Sequence, residues 1–103
     1  EIMTSIGFNP SFNDIELNLY PNPGTGKDLQ LEFELEKSSP VHIRLQDING
    51  RILNTADLGQ LPAGKNNIQA TQYFRNDLSS PGIYFITLMS EDGMAVRKFQ
   101  LQR

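Results

Sequence analysis

Two prolines one residue apart, in the segment Tyr20-Pro21-Asn22-Pro23, constrain the fold of this chain more than any other feature. Proline has no backbone donor and biases the preceding residue towards extended geometry, so the segment fits neither a helix nor a central strand. Gly24 and Gly26 follow it and favour a turn. We therefore predict a rigid, extended lead-in that ends at a turn, where a series of short strands begins.

Length and composition indicate a single globular domain. A chain of 103 residues buries enough surface for one modest core and has no room for a second. The formal net charge of −3 disfavours nucleic acid as a partner, because binding to phosphates needs clustered cations. The absence of cysteine excludes disulfides and thiolate chemistry, and no apolar run is long enough to span a membrane.

Alternation of apolar and polar residues predicts about seven short strands, and the chain shows no helical periodicity. The clearest alternation is at residues 29–35, where Leu and Phe alternate with Gln and Glu. Weaker strands are expected at residues 15–20 and around 67–73, and a strong strand at 83–90 folds back onto 94–102. An all-β fold follows, as an antiparallel β-sandwich.

A further hairpin is predicted at Asn49-Gly50, the dipeptide that most strongly favours a two-residue turn. Such a turn pairs Val41 with Leu58 and Asp47 with Ile52. Apolar residues then mostly oppose apolar residues, which supports this register.

The final hairpin has two faces of different character. One is expected to lie in the core and carries Tyr84, Ile86, Leu88, Phe99 and Leu101. The other is more apolar than a solvent-facing surface usually is, and we call it the outer apolar face: Ile83, Phe85, Met89 and Val96. It is a candidate docking surface. Two alternatives stay open, namely that the N-terminal segment covers it or that a weak homodimer forms there.

Residues suited to catalysis are scarce. His42 is the only histidine, and a surface pair with Asp57 accounts for it. Asp47 with Asn49-Gly50 lacks the spaced acidic series of a calcium loop. Three glutamates share a strand face but project apart, as on a solvated surface: Glu32, Glu34 and Glu36. We therefore expect no enzyme activity, no metal site and no cofactor.

Aromatic residues raise the alternative of a carbohydrate-binding module, which needs an aromatic-lined groove. The candidates are Tyr20, Tyr73, Phe74, Tyr84 and Phe85. Their spacing does not predict a single strip, so packing in the core and at sheet edges is favoured.

Several short motifs follow one another in a specific order from about Leu17 to Arg103. Their principal residues are Tyr20, Pro21, Asn22, Pro23, Asp47, Gly50, Gly64, Gly82 and Tyr84, followed by Gly93 and Lys98-Phe99 near the end. Each motif alone is common, but their order and spacing are much more specific. Together they resemble the C-terminal sorting domain of the type IX secretion system of Bacteroidota (the Por secretion tail, type A).

This resemblance implies a non-catalytic, Ig-like β-sandwich at residues 17–103, joined through a linker at residues 1–16 to a passenger protein on its N-terminal side. The implied partners are the outer-membrane type IX machinery and a sortase-like surface peptidase. The implied route leads through the periplasm to the cell surface or medium. Recognition by the machinery is expected at the last strand, on Gly93, Lys98, Phe99, Gln100, Leu101, Gln102 and Arg103. The alternative function is a passive Ig-like accessory or spacer module.

Overall fold

The computed structural model describes residues 13–91 and 93–102 and shows two sheets packed face to face as a β-sandwich. The strands are β1 (Asn13–Asp14), β2 (Leu17–Tyr20), β3 (Gln30–Leu35), β4 (Ser39–Asp47), β5 (Ile52–Leu61), β6 (Gly64–Gln69), β7 (Gly82–Met89) and β8 (Gly93–Leu101), with one helix, α1 (Thr71–Phe74). The larger sheet has the order β1-β8-β7-β4-β5, and the smaller has the order β2-β3-β6. All pairings are antiparallel except that of β1 with β8, so the all-β prediction is confirmed.

The core lies between the two sheets and is built from alternate positions of each strand. The inward residues of β3 and β4 are buried: Leu31, Phe33, Leu35, Val41, Ile43 and Leu45. The predicted core face of the last hairpin is buried as well: Tyr84, Ile86, Leu88, Phe99 and Leu101. Because successive side chains of a strand point to opposite faces, the period-2 pattern was enough to identify this core.

The hairpin of β4 and β5 matches the predicted register only in its middle, where Ile43 lies opposite Ala56. A register shift at the far end places Val41 opposite Gly59, so the predicted pairing of Val41 with Leu58 is wrong. The extra residue in β5 is a β-bulge, which bends the strand and interrupts the ladder.

The turn of this hairpin also differs from the prediction. The N–H of Asp47 donates to the carbonyl of Arg51 at 3.0 Å, so the loop holds three residues and not two. Ile52 consequently lies opposite Gln46 and not opposite Asp47. Gly50 has a φ of 87°, which suits the left-handed position at the end of a three-residue loop.

The helix α1 was not predicted, and it replaces the end of the strand expected around residues 67–73. Tertiary contacts explain this, because the Thr71 hydroxyl accepts the N–H of Leu29 at 2.9 Å and donates to the carbonyl of Gly26 at 2.8 Å. Phe74, one turn further, is fully buried. Within residues 13–91 and 93–102, no helix is both long and apolar enough to cross a membrane.

Residues 13–16 contact the sandwich. β1 pairs in parallel with the start of β8, and Ile15 is buried and donates its N–H to the carbonyl of Met94 at 3.2 Å. The rest of the linker expected at residues 1–16 lies outside the described residues, and its boundary stays a prediction.

Candidate interaction surface

The proline segment lies along the outer edge of β8 and is hydrogen-bonded to it. The side chain of Asn22 donates from Nδ2 to the carbonyl of Lys98 at 2.7 Å, and its Oδ1 accepts the N–H of Gln100 at 3.0 Å. Gly24 extends the contact, since its N–H donates to the Gln100 carbonyl at 3.1 Å and its carbonyl accepts the N–H of Gln102 at 2.7 Å. We call these four hydrogen bonds the edge clasp. They occupy this part of the β8 edge, where another strand would otherwise be able to add.

The backbone of the proline segment turns tightly at Gly24. Both of its X–Pro peptide bonds are cis. A Cβ on Gly24 would lie 2.6 Å from the carbonyl oxygen of Pro21, so the chain can turn here only with glycine. Tyr20, the last residue of β2, is 40% exposed, and its hydroxyl accepts a hydrogen bond from Asn67 on β6 of the same sheet.

Replacement of Asn22 by Ala removes two of the four hydrogen bonds of the edge clasp. We expect this change to lower the free energy of unfolding by about 1–2 kcal/mol, because a typical intramolecular hydrogen bond contributes roughly 1 kcal/mol. Urea denaturation would measure the change. Asn18→Ala is the matched control, because Asn18 is exposed on β2 and its side chain makes no hydrogen bond among the described residues. Equal stability of the two variants would contradict a stabilising role for the clasp.

The other motif residues have local structural tasks. The Asp47 carboxylate accepts the N–H groups of Asn49 and Arg51 at 2.9 Å each and the Nε of Arg51 at 3.2 Å, which fixes the hairpin turn. The Tyr84 hydroxyl donates to the carbonyl of Ser80 at 2.6 Å. The remaining motif glycines lie in a turn or begin a strand: Gly50, Gly64 and Gly82. Each of these residues therefore stabilises a turn or lies where a strand begins.

The predicted recognition residues alternate between the core and the surface. Phe99 and Leu101 are buried, and Gly93 is buried at the start of β8. The exposed side chains of this stretch are Lys98, Gln100 and Gln102. Arg103 lies outside the described residues. Only the exposed members can be contacted directly by a partner.

The outer apolar face forms one patch on the larger sheet. Ile83, Phe85 and Met89 are half-buried on β7, and Val96 on β8 is 46% exposed. Thr87 lies in the middle of the patch, opposite Val96, and is itself buried.

Sequence reasoning did not single out Arg44, which lies in the same cross-strand row. Arg44 on β4 is opposite Thr55 on β5 and Thr87 on β7. Its Nε is buried without a hydrogen-bond partner, and no hydrogen bond or ion pair to its side chain occurs among the described residues. The alternation along β4 places Arg44 on the outward face, but no local signal indicates that its guanidinium has no partner within residues 13–91 and 93–102.

The catalytic and sugar-binding alternatives find no assembled site in the part of the chain that the structure describes. His42 Nδ1 lies 3.7 Å from Asp57 Oδ1 on an exposed surface, as predicted. No group of three His, Cys, Asp or Glu side chains there could hold a metal ion. Phe74 is in the core, whereas Tyr20 and Phe85 lie on different sheets, so the aromatic residues form no common platform.

Comparison with known proteins gives one family match. Residues 18–102 match the profile of a family described as the secretion system C-terminal sorting domain, which leaves out only residues 1–17 and Arg103. No curated protein sequence matches the chain significantly. Among solved structures, the CARDB domain of a Pyrococcus furiosus protein in complex with di-metal ions is similar, with a TM-score of 0.43 and 14% identity, covering 91% of this chain and 97% of that one.

Proposed function

Because this chain belongs to the family of type IX secretion system C-terminal sorting domains, we propose that it directs a covalently attached passenger across the outer membrane and performs no catalysis itself. Membership of this family implies contact with the type IX machinery and export to the cell surface or the extracellular space. The observation that carries the proposal is the match over residues 18–102, which includes both the proline segment and the last strand.

In the proposed route, the passenger is joined on the N-terminal side of the domain and passes through the periplasm. The outer-membrane machinery then recognises the folded sandwich. A sortase-like surface peptidase cuts within or next to the linker at residues 1–16. The domain needs no cofactor for this role, because its task is to be recognised.

Recognition through the faces of the sandwich is better supported than recognition through the edges of the larger sheet. The edge clasp occupies the end of β8. On β5, the opposite edge, the N–H of Thr55 donates to Asn54 Oδ1 and the N–H of Gly59 donates to Asp57 Oδ1, each at 2.8 Å. Since these side chains already satisfy edge donors, strand addition at either edge must first displace them. We therefore assign recognition to the outer apolar face and to the exposed side chains near the end of β8.

Export of a reporter tests the proposed function. A fluorescent protein carrying a periplasmic signal peptide, fused ahead of residues 1–103, is expected to reach the surface or medium of a bacterium that has the type IX system. The same reporter without the domain, and the fusion in a strain that lacks the machinery, should stay in the periplasm. Periplasmic retention of the complete fusion in the competent strain would refute the proposal and favour a passive spacer module.

A further inference from the structure

We propose that the outer apolar face binds an acidic segment of the secretion machinery, and that Arg44 forms an ion pair with a carboxylate of that segment. This inference rests on the proposed function. It adds the chemistry of the partner and names Arg44 as the residue that binds it. The partner is a stretch of protein that carries Asp or Glu flanked by apolar side chains.

The first observation is that the Arg44 side chain has no hydrogen-bond or ion-pair partner among the described residues. Arg44 has five donors in a fixed fork and no acceptor of its own, and its buried Nε finds no acceptor among the described residues. The great majority of buried donors in proteins are hydrogen-bonded, because a buried donor without a partner destabilises the fold. Because Nε is shielded from the surface, a carboxylate supplied from outside would bind the two terminal nitrogens of the fork, in the paired geometry that arginine and carboxylate favour.

The second observation is the distribution of charge. The chain has a net charge of −3, yet Arg44 and the exposed Lys98 both lie on this side of the larger sheet. Lys98 is opposite Phe85 and, like Arg44, makes no side-chain hydrogen bond or ion pair among the described residues. Asp57 lies beside His42, two positions along β4 from Arg44. Arg44 and Lys98 therefore give this face positive charge on a domain of negative net charge, which makes the face complementary to a negatively charged partner.

The third observation is the apolar surroundings of the arginine. Val96 lies beyond Thr87 in the same row, and Phe85 and Met89 flank Thr87 along β7. A partner seated here would remove water from the ion pair, and charged contacts that are enclosed by apolar groups contribute most to affinity. Burial of the apolar side chains would add to that affinity.

A second copy of this chain fits the surface less well. A symmetric dimer through this face would bring the same patch against itself, so Arg44 and Lys98 of both copies would meet like charges. The N-terminal segment offers little complementarity either, because residues 1–12 contain a single acid, Glu1.

Two substitutions separate recognition from folding. Arg44→Met keeps much of the length and apolar character of the stem while removing the unsatisfied donor, so the isolated domain should unfold at the same temperature as the unchanged domain or at a higher one. In the export assay, however, the surface-delivered fraction should fall about tenfold or more, since a hydrogen-bonded charge contributes at least about a factor of ten in affinity. Arg44→Glu should reduce delivery further. Arg75→Glu is the matched control, because Arg75 is exposed after α1 and also has no partner among the described residues.

Each outcome of this experiment decides a different point. Normal delivery of both Arg44 variants, with normal delivery of the unchanged fusion, would overturn this inference alone. Retention of the unchanged fusion would overturn the proposed function and this inference with it. A dimer of the isolated domain that Arg44→Glu dissociates in sedimentation would assign the face to a second copy instead. A shift of the Met89 methyl NMR signal on removal of residues 1–12 would mean that the chain covers its own face, and would also overturn the inference.

Discussion

A passenger fused to the domain without residues 99–103 is expected to accumulate in the periplasm and not to reach the cell surface. The deletion removes Phe99 and Leu101, which are 0% and 2% exposed and fill the core between the sheets. It also removes the backbone groups of Gln100 and Gln102 that the edge clasp holds. Immunoblots of periplasmic and surface fractions would measure the effect, and normal surface delivery would contradict it.

Loss of the fold and loss of a recognised surface must be separated in that experiment. The double variant Gln100→Ala and Gln102→Ala changes only exposed side chains and leaves the backbone hydrogen bonds of the clasp in place. We expect it to unfold at an unchanged temperature and to be delivered less efficiently. Full delivery of this variant would show that the last strand contributes through the core alone.

Replacement of Thr71 by Val is expected to lower the free energy of unfolding by about 2–4 kcal/mol, the largest effect that we predict for a single substitution. Thr71 is 5% exposed, and its hydroxyl serves the N–H of Leu29 and the carbonyl of Gly26 at once. Valine has nearly the same shape, so the loss comes from two backbone groups left buried without a partner. Urea denaturation with an unchanged m-value would measure it.

Thr55→Val provides the control for this substitution. Thr55 is exposed on β5, and its hydroxyl makes no hydrogen bond among the described residues, so the same chemical change should alter stability by no more than about 0.5 kcal/mol. Equal losses in the two variants would mean that the Thr71 hydroxyl does not hold α1 to the turn before β3.

The sequence was sufficient to predict the strands and the core, because side chains alternate between the faces of a strand whatever the rest of the fold does. It was not sufficient where geometry depends on distant contacts. The bulge opposite Val41 and the three-residue loop closed by Asp47 changed the register of a hairpin whose composition suggested a simpler turn. In the same way, residues with adequate β propensity became α1 because Thr71 bonds to two backbone groups more than 40 positions earlier.

The candidate site was predictable only in part. The motif identified the family, and the outer apolar face was visible as an unusual run of apolar residues on an outward surface. The partner of Asn22 was not visible, because its hydrogen bonds join positions 76 and 78 residues apart. That Arg44 has no side-chain partner in the described part of the chain was not visible either, since this depends on three neighbouring strands and not on a local pattern.

The edge clasp has a consequence for the order of events in the cell. It joins Asn22 and Gly24 to residues 98–102, so the two ends of the domain can meet only after the ribosome has added almost all of its residues. In the proposed role, a passenger fused on the N-terminal side has by then been synthesised in full. Only a fully translated chain would therefore be able to close the sandwich. A prematurely terminated product would lack the folded domain and would not be exported.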